Sequence, residues 1–227
     1  MSKQRIAAIT IGQSPRRDMT ADSFARLPGD LDVVEYGALD PFTREEAIKR
    51  FSPGPGDEVL VSRLRDGSQI RLSGEAVAEL LQASIRQAEK DGAAATLLLC
   101  TGEFPEFQHE KPLITPLPLL HATARVLAGR RKVAVLIPDP EQVEPSVRRW
   151  RESGLEALVV SASPYKDIAE VERAAAGLRG CDAALLCMDC MGYTVEMKGL
   201  AARASGLPVL LPRTLMSAIT AEFLSLL

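Results

Sequence analysis

The chain alternates short apolar runs with helix-length stretches, and two of the runs end in a cysteine followed by a glycine turn. Residues 94–99 lead into Cys100 and the turn Thr101-Gly102, and residues 183–189 lead into Cys190 and the turn Met191-Gly192-Tyr193-Thr194. A short, unbroken apolar run bounded by turn residues reads as a strand buried on both faces, as in the centre of a parallel sheet. Ligands of open α/β sheets bind just beyond the carboxyl ends of such strands. Two thiols delivered there from opposite halves of the chain would face one cleft. That arrangement suits chemistry with an acid on one side of a carbon and a base on the other.

The remaining pattern predicts strands over 6–11 and 31–37 in the first half and over 132–138, 155–161 and 207–211 in the second. Helices are expected over 44–51, 75–87, 119–127, 141–152, 168–178, 193–204 and 214–226. Thr43 followed three residues on by Glu46 is a capping box, Ser73 can cap the helix after it, and Ser14 before Pro15 reads as the cap of a first helix. Asp66-Gly67 between two alternating segments predicts a hairpin over 57–73. Alternating strands and helices define an α/β architecture with right-handed crossovers. The expected division is 1–115 for a first lobe carrying the hairpin and 116–227 for a second, with the active-site cleft between them.

Composition narrows the function classes. The 227 residues carry a net charge of −3, which gives no reason to expect nucleic acid or an anionic membrane as partner. No apolar run reaches the roughly 18 residues of a membrane span. The start lacks the apolar core of a signal peptide, so a cytoplasmic setting with reduced thiols is expected. Of the basic clusters, 130–132 and 148–151 read as solvated faces or helix ends.

Among the four cysteines, Cys100 and Cys190 are the candidate catalytic pair; Cys181, after a helix, and Cys187, within a strand, read as packing residues. A metal site at Cys187-x-x-Cys190 is not expected, because the histidines, His109 and His121, are far apart and strand residues three apart face opposite ways. No glycine-rich nucleotide fingerprint occurs, so neither metal nor cofactor is expected. The loop after the first strand brings Gln13, Ser14 and Arg16, whose amide, hydroxyl and guanidinium suit a carboxylate. Thr101, Gly102, Met191, Gly192, Tyr193 and Thr194 are the candidate binding residues of the two cysteine turns. His109 reads as an exposed loop residue, and Asp189 as facing away from Cys190.

Thr10-Ile11-Gly12-Gln13-Ser14-Pro15, Thr43-Arg44-Glu45-Glu46, Met188-Asp189-Cys190-Met191-Gly192-Tyr193 and the closing stretch 207–213 together resemble the AroM family. That family is similar to the aspartate/glutamate/hydantoin racemase superfamily. The resemblance implies two pseudo-symmetric Asp/Glu racemase-like α/β lobes with parallel sheets, each supplying one cysteine, plus the hairpin insertion. It also implies cofactor-independent proton transfer by Cys100 and Cys190 at a carbon alpha to a carboxylate of a small acid, in a racemase or isomerase. The alternatives are a single-cysteine isomerase or decarboxylase and a non-catalytic protein that binds small carboxylates. The apolar closing helix leaves room for a homodimer.

Overall fold

The computed structural model describes residues 4–24, 27, 29 and 31–224. They form two compact units, Met1–Pro116 together with Met216–Leu227, and Leu117–Leu215.

The first unit runs β1 (Gln4–Thr10), α1 (Arg17–Phe24), β2 (Leu31–Gly37), α2 (Arg44–Phe51), β3 (Val59–Arg63), β4 (Gln69–Ser73), α3 (Gly74–Lys90), β5 (Ala95–Leu98) and β6 (Leu113–Ile114). Four of its strands make an all-parallel sheet in the order β2-β1-β5-β6. β1 is central, with Ile9 opposite Tyr36 on one side and Leu98 on the other. Its Ile6-Ala7-Ala8-Ile9 segment is buried completely or nearly so, which is why it reads as continuous apolar sequence rather than as an alternation. Val77, Leu81, Ile85 and Ala88 of α3 recur at helical spacing and join Ile9, Leu98, Leu60 and Leu72 in one core. The hairpin β3–β4 is antiparallel, Arg63 opposite Gln69, and turns at Asp66-Gly67, where Gly67 takes φ +83°. The capping box of α2 forms as expected, with the Thr43 hydroxyl accepting from Glu46 N–H and the Glu46 carboxylate from Thr43 N–H. Ser73 caps α3.

The second unit contains α4 (Pro116–Ala128), β7 (Lys132–Ile137), a 3₁₀ turn (Pro140–Gln142), α5 (Val143–Glu152), β8 (Ala157–Ser161), α6 (Ile168–Ala176), β9 (Ala183–Met188), α7 (Val195–Ser205), β10 (Val209–Leu210) and the start of α8 (Pro212–Leu224). Its sheet is also parallel, in the order β10-β9-β7-β8. Both faces are covered. Val133, Val135 and Ile137 join Leu185, Cys187 and Trp150 in one core, while Ala134 and Leu136 join Leu186, Met188 and Tyr193 in the other. The period of two along β7 sorts its side chains between them.

Three local expectations change. The first helix starts at Arg17, not at Pro15, because Ser14 is engaged elsewhere: its N–H and hydroxyl both donate to the Asp40 carboxylate. The sheet gains β6, whose two residues are too few to leave a periodic trace. And α8 counts with the first unit from Met216 onward, where Met216, Ser217 and Thr220 are buried and the Ser217 hydroxyl donates to the Ser23 carbonyl.

Candidate active site

In the first unit, the ladder between β1 and β5 runs one residue past the strand, with Leu99 N–H donating to the Ile9 carbonyl at 2.7 Å, and then releases the chain at Cys100. The thiol is half-buried, and its Sγ accepts a hydrogen bond from the Gly102 N–H at 3.3 Å. The turn is packed from outside by the hairpin: a Cβ on Gly102 would lie 2.7 Å from Leu60 Cδ2. Glu103 N–H donates to Glu58 just before β3. Thr101 is buried between them in sequence.

In the second unit the same construction recurs. Asp189 N–H donates to the Leu136 carbonyl, extending the β7–β9 ladder, and Cys190 follows, 8% exposed. Its Sγ accepts from the Gly192 N–H, again at 3.3 Å. A Cβ on Gly192 would stand 2.5 Å from the Tyr165 hydroxyl oxygen. The turn is fixed at every step. Arg213, fully buried, donates from Nε and Nη2 to the Met191 carbonyl at 3.0 and 2.6 Å. The Tyr193 hydroxyl donates to the Ala162 carbonyl at 2.6 Å. Thr194 is the N-cap of α7, its hydroxyl accepting from Met197 N–H. Burial pushes the Tyr193 phenol well up, and the charges of Cys190, Asp189 and Tyr165 add to that; Tyr193 is therefore a neutral donor and not a proton-transfer group.

An amide N–H aimed at sulfur stabilises a thiolate more than a thiol. Each cysteine turn thus carries, two residues on, a fixed donor for the ionised form. Cys187 has no such setting. It packs in the core opposite the one Cys190 joins, and burial first, then the Asp189 charge, pushes its thiol well up, so it stays protonated and inert.

The loop after β1 is the least available of the expected binding elements. The buried Gln13 amide donates to the Leu39 and Phe42 carbonyls at 3.3 and 2.9 Å and accepts from Arg65 N–H at 2.8 Å, joining the loop to the hairpin. Arg16 is 3% exposed; its fork grips Asp18 at 2.9 and 2.8 Å and its Nη1 donates to the hydroxyls of Thr10 and Ser62. Its N–H donates to Glu35. These residues lie beyond the end of β1, and Cys100, Thr101 and Gly102 beyond the end of the neighbouring β5. His109 is exposed and its Nδ1 faces the Lys111 carbonyl at 2.9 Å.

Sequence reasoning missed a buried cluster behind Cys190. The Asp189 carboxylate takes the Trp150 indole N–H on Oδ2 at 3.1 Å, with Arg149 Nη2 at 3.5 Å. The His121 ring packs on Trp150 with centroids 4.3 Å apart. Burial lowers the His121 pKa; the Asp189 charge opposes this and the Arg149 charge adds to it, leaving a neutral imidazole near pH 7. Asp189 Oδ1 and His121 Nε2 make no hydrogen bond among the described residues. The stretch 148–151 falls in the last turns of α5, a helix end as expected, but Arg149 and Trp150 turn inward and not to solvent. The available signal was Trp150, the sole tryptophan, set at helical spacing among charged residues.

Two all-parallel four-stranded sheets, each with a cysteine–glycine turn at a strand end, define the Asp/Glu racemase-like α/β fold. Solved structures agree. Allantoin racemase from Klebsiella pneumoniae aligns with a TM-score of 0.63 at 13% identity, over 98% of this chain and 88% of that one. A doubly substituted, liganded arylmalonate decarboxylase gives 0.64 at 19% identity over 98% and 92%. Maleate isomerase from Pseudomonas putida S16 gives 0.64 at 14% over 98% and 93%. No curated protein sequence matches significantly. The family model described as AroM protein matches residues 6–224, so the chain belongs to the AroM family.

Proposed function

We propose that the chain is a cofactor-independent racemase or isomerase in which Cys100 and Cys190 exchange a proton at a carbon alpha to the carboxylate of a small acid. The observation that carries this is the repeated turn: two thiols at strand ends, each with a glycine N–H 3.3 Å from sulfur. The racemase, isomerase and decarboxylase of the same fold support the class of reaction.

In this reading one sulfur, as thiolate, takes the α-proton and becomes a thiol. The electron pair left on carbon delocalises into the carboxylate as an enediolate. The other sulfur, as thiol, returns a proton to the opposite face and becomes the thiolate. Each turnover exchanges the roles, so the reverse reaction needs no reset. The cycle needs one member of the pair ionised and the other protonated at its start. The backbone N–H groups of Thr101 and Met191 and the Thr101 hydroxyl serve the enediolate, and one such donor is worth roughly 3–4 kcal/mol. Gln13, Ser14 and Arg16 serve by fixing the loop beyond β1, and Thr194 by starting α7.

The test is exchange of the α-proton in deuterated water, followed by proton NMR across 2-amino, 2-hydroxy and 2-aryl acids. A substrate should exchange with wild type and lose about 10²- to 10⁴-fold in rate in both Cys100→Ser and Cys190→Ser. Loss in Cys190→Ser alone would select a single-cysteine isomerase or decarboxylase, a reading favoured by the tighter clamping of that turn. Exchange that survives both substitutions unchanged would refute thiol chemistry.

A further inference from the structure

We propose that an arginine-lined cavity of the first unit binds a phosphate-bearing small metabolite. The cavity, about 490 Å³, lies where Pro15 and the start of α1 meet the end of β3 and the hairpin turn. That volume suits a small ligand. Four arginines, Arg16, Arg17, Arg63 and Arg65, line it with one acid, Asp18. Cys100, Thr101 and Gly102 are not on its wall, and the inference stands apart from the thiol reading.

The site is built rather than incidental. Arg16 is almost wholly buried, and the Asp18 fork together with the Thr10 and Ser62 hydroxyls fixes its guanidinium. Arg65 is anchored by the Ser14 carbonyl at 2.8 Å and by Asp40 at 2.9 Å. Arg63 Nη1 stands 3.9 Å from Asp18. Arg17 is exposed and makes no hydrogen bond or ion pair among the described residues. Burial raises the Asp18 pKa, yet the hydrogen bond and charge of Arg16 and the charge of Arg63 outweigh it and leave the carboxyl lowered. The local field is therefore positive even beside its own acid.

The other acids of the neighbourhood are accounted for. Asp40 holds Arg65 and Ser14, Glu35 takes the Arg16 N–H, and Asp66 is engaged by Ser68 with Arg44 at 3.9 Å. Counting Asp18, Asp40 and Glu35 against the four arginines leaves an excess of positive charge. With the Arg16 fork held by Asp18 and the Arg65 fork by Ser14 and Asp40, the guanidinium of Arg17 and the charge of Arg63 bring positive groups from two chain segments, and two such groups match a tetrahedral dianion better than a single carboxylate, which one fork satisfies.

The experiment uses the full chain and inorganic phosphate as probe, by calorimetry and thermal melting, with chloride at matched ionic strength as reference. Phosphate should bind with a Kd of about 1 mM or tighter and raise the melting temperature beyond the chloride control. Arg17→Gln, exposed and without a structural partner, should fold as wild type and weaken binding about tenfold, the loss of one charge-assisted bond. Arg130→Gln, an exposed arginine of the second unit, should bind as wild type. The proposal is overturned if phosphate does no more than chloride, if Arg17→Gln binds as wild type, or if Arg130→Gln weakens binding equally.

Discussion

Gly192→Ala isolates the geometry of the second thiol turn from its chemistry. Alanine keeps the N–H that Cys190 Sγ accepts, so any effect must come from displacement of the backbone. The added Cβ would sit 2.5 Å from Tyr165 Oη, 2.6 Å from its Cζ and 2.8 Å from Pro164 Cγ, where ordinary contact begins near 3.4 Å. Relief therefore requires a retreat of about 0.9 Å by the tyrosine ring and 0.6 Å by the proline ring, or movement of the turn itself. Tyr165 is half-exposed and can yield; Pro164 is buried. Overpacking of this kind costs about 1–3 kcal/mol, which for a chain of this size lowers Tm by about 2–12 °C. The assay pairs thermal melting with the alkylation rate of Cys190 in a Cys100→Ser/Cys181→Ser/Cys187→Ser background. The alanine variant should melt lower and alkylate at a changed rate, and Tyr165→Ala added to it should recover part of both. Unchanged melting and alkylation, or no recovery when the ring is removed, would show that close packing does not hold this turn. Gly102→Ala provides the contrast. Its nearest contacts are Leu60 Cδ2 at 2.7 Å, Phe104 Cζ at 3.1 Å and Leu60 Cδ1 at 3.2 Å; the tightest is the far end of a flexible side chain, so its effect should be the smaller of the two.

Two further outcomes follow from the cluster behind Cys190. Trp150→Phe removes the N–H that Asp189 Oδ2 accepts and leaves a buried carboxylate with Arg149 at 3.5 Å; the loss of a bond to a charged group, about 1.5–3 kcal/mol, should appear in urea unfolding, and a loss below 0.5 kcal/mol, the range of ordinary surface changes, would contradict the burial of a charge there. His121 has a folded pKa below its ordinary 6.5, so the unfolded chain binds the extra proton first, and stability falls as pH drops from 6.5 through the lowered value. Urea midpoints between pH about 5 and 7 should therefore show a slope that His121→Gln flattens; equal slopes in the two proteins would exclude His121 as its source.

What could be read from the sequence was what a few adjacent residues decide. Asp66-Gly67 demands a tight turn whatever surrounds it, Thr43 and Glu46 close a box within one helical turn, and the runs ending at Cys100 and Cys190 carry their own turn glycines. The misreadings share the opposite character. Ser14 has the sequence of a helix cap, but the Asp40 carboxylate, 26 positions on, offers a charged acceptor that a helix start cannot match. Arg149 and Trp150 sit among charges that point outward, and only the register of α5 against the end of β9 turns them inward. Met216, Ser217 and Thr220 are unremarkable at the end of a chain until a partner from the first unit, such as the Ser23 carbonyl, is in place.

The two cysteine turns also show why a thiol can have a backbone N–H donor at one strand position and lack one three residues earlier. Cys187 and Cys190 lie on the same segment, yet the pleat sends Cys187 into a core with the Asp189 charge nearby and sends Cys190 past the last ladder bond, where backbone N–H groups are no longer consumed by the sheet. The Gly192 N–H is one of those freed donors and turns back on the sulfur; a side chain at position 192 would collide with Tyr165 and Pro164, which is why glycine fits there. Cys100 and Gly102 meet the same conditions at the end of β5, with Leu60 of the hairpin in the role of the ring. Both turns therefore share a strand end, a glycine two residues on, and a neighbour pressing on it. Cys187 lacks the first, since β9 runs through it, and Cys181 precedes that strand instead of ending it. That leaves Cys100 and Cys190 as the thiols with a strand-end donor of this kind.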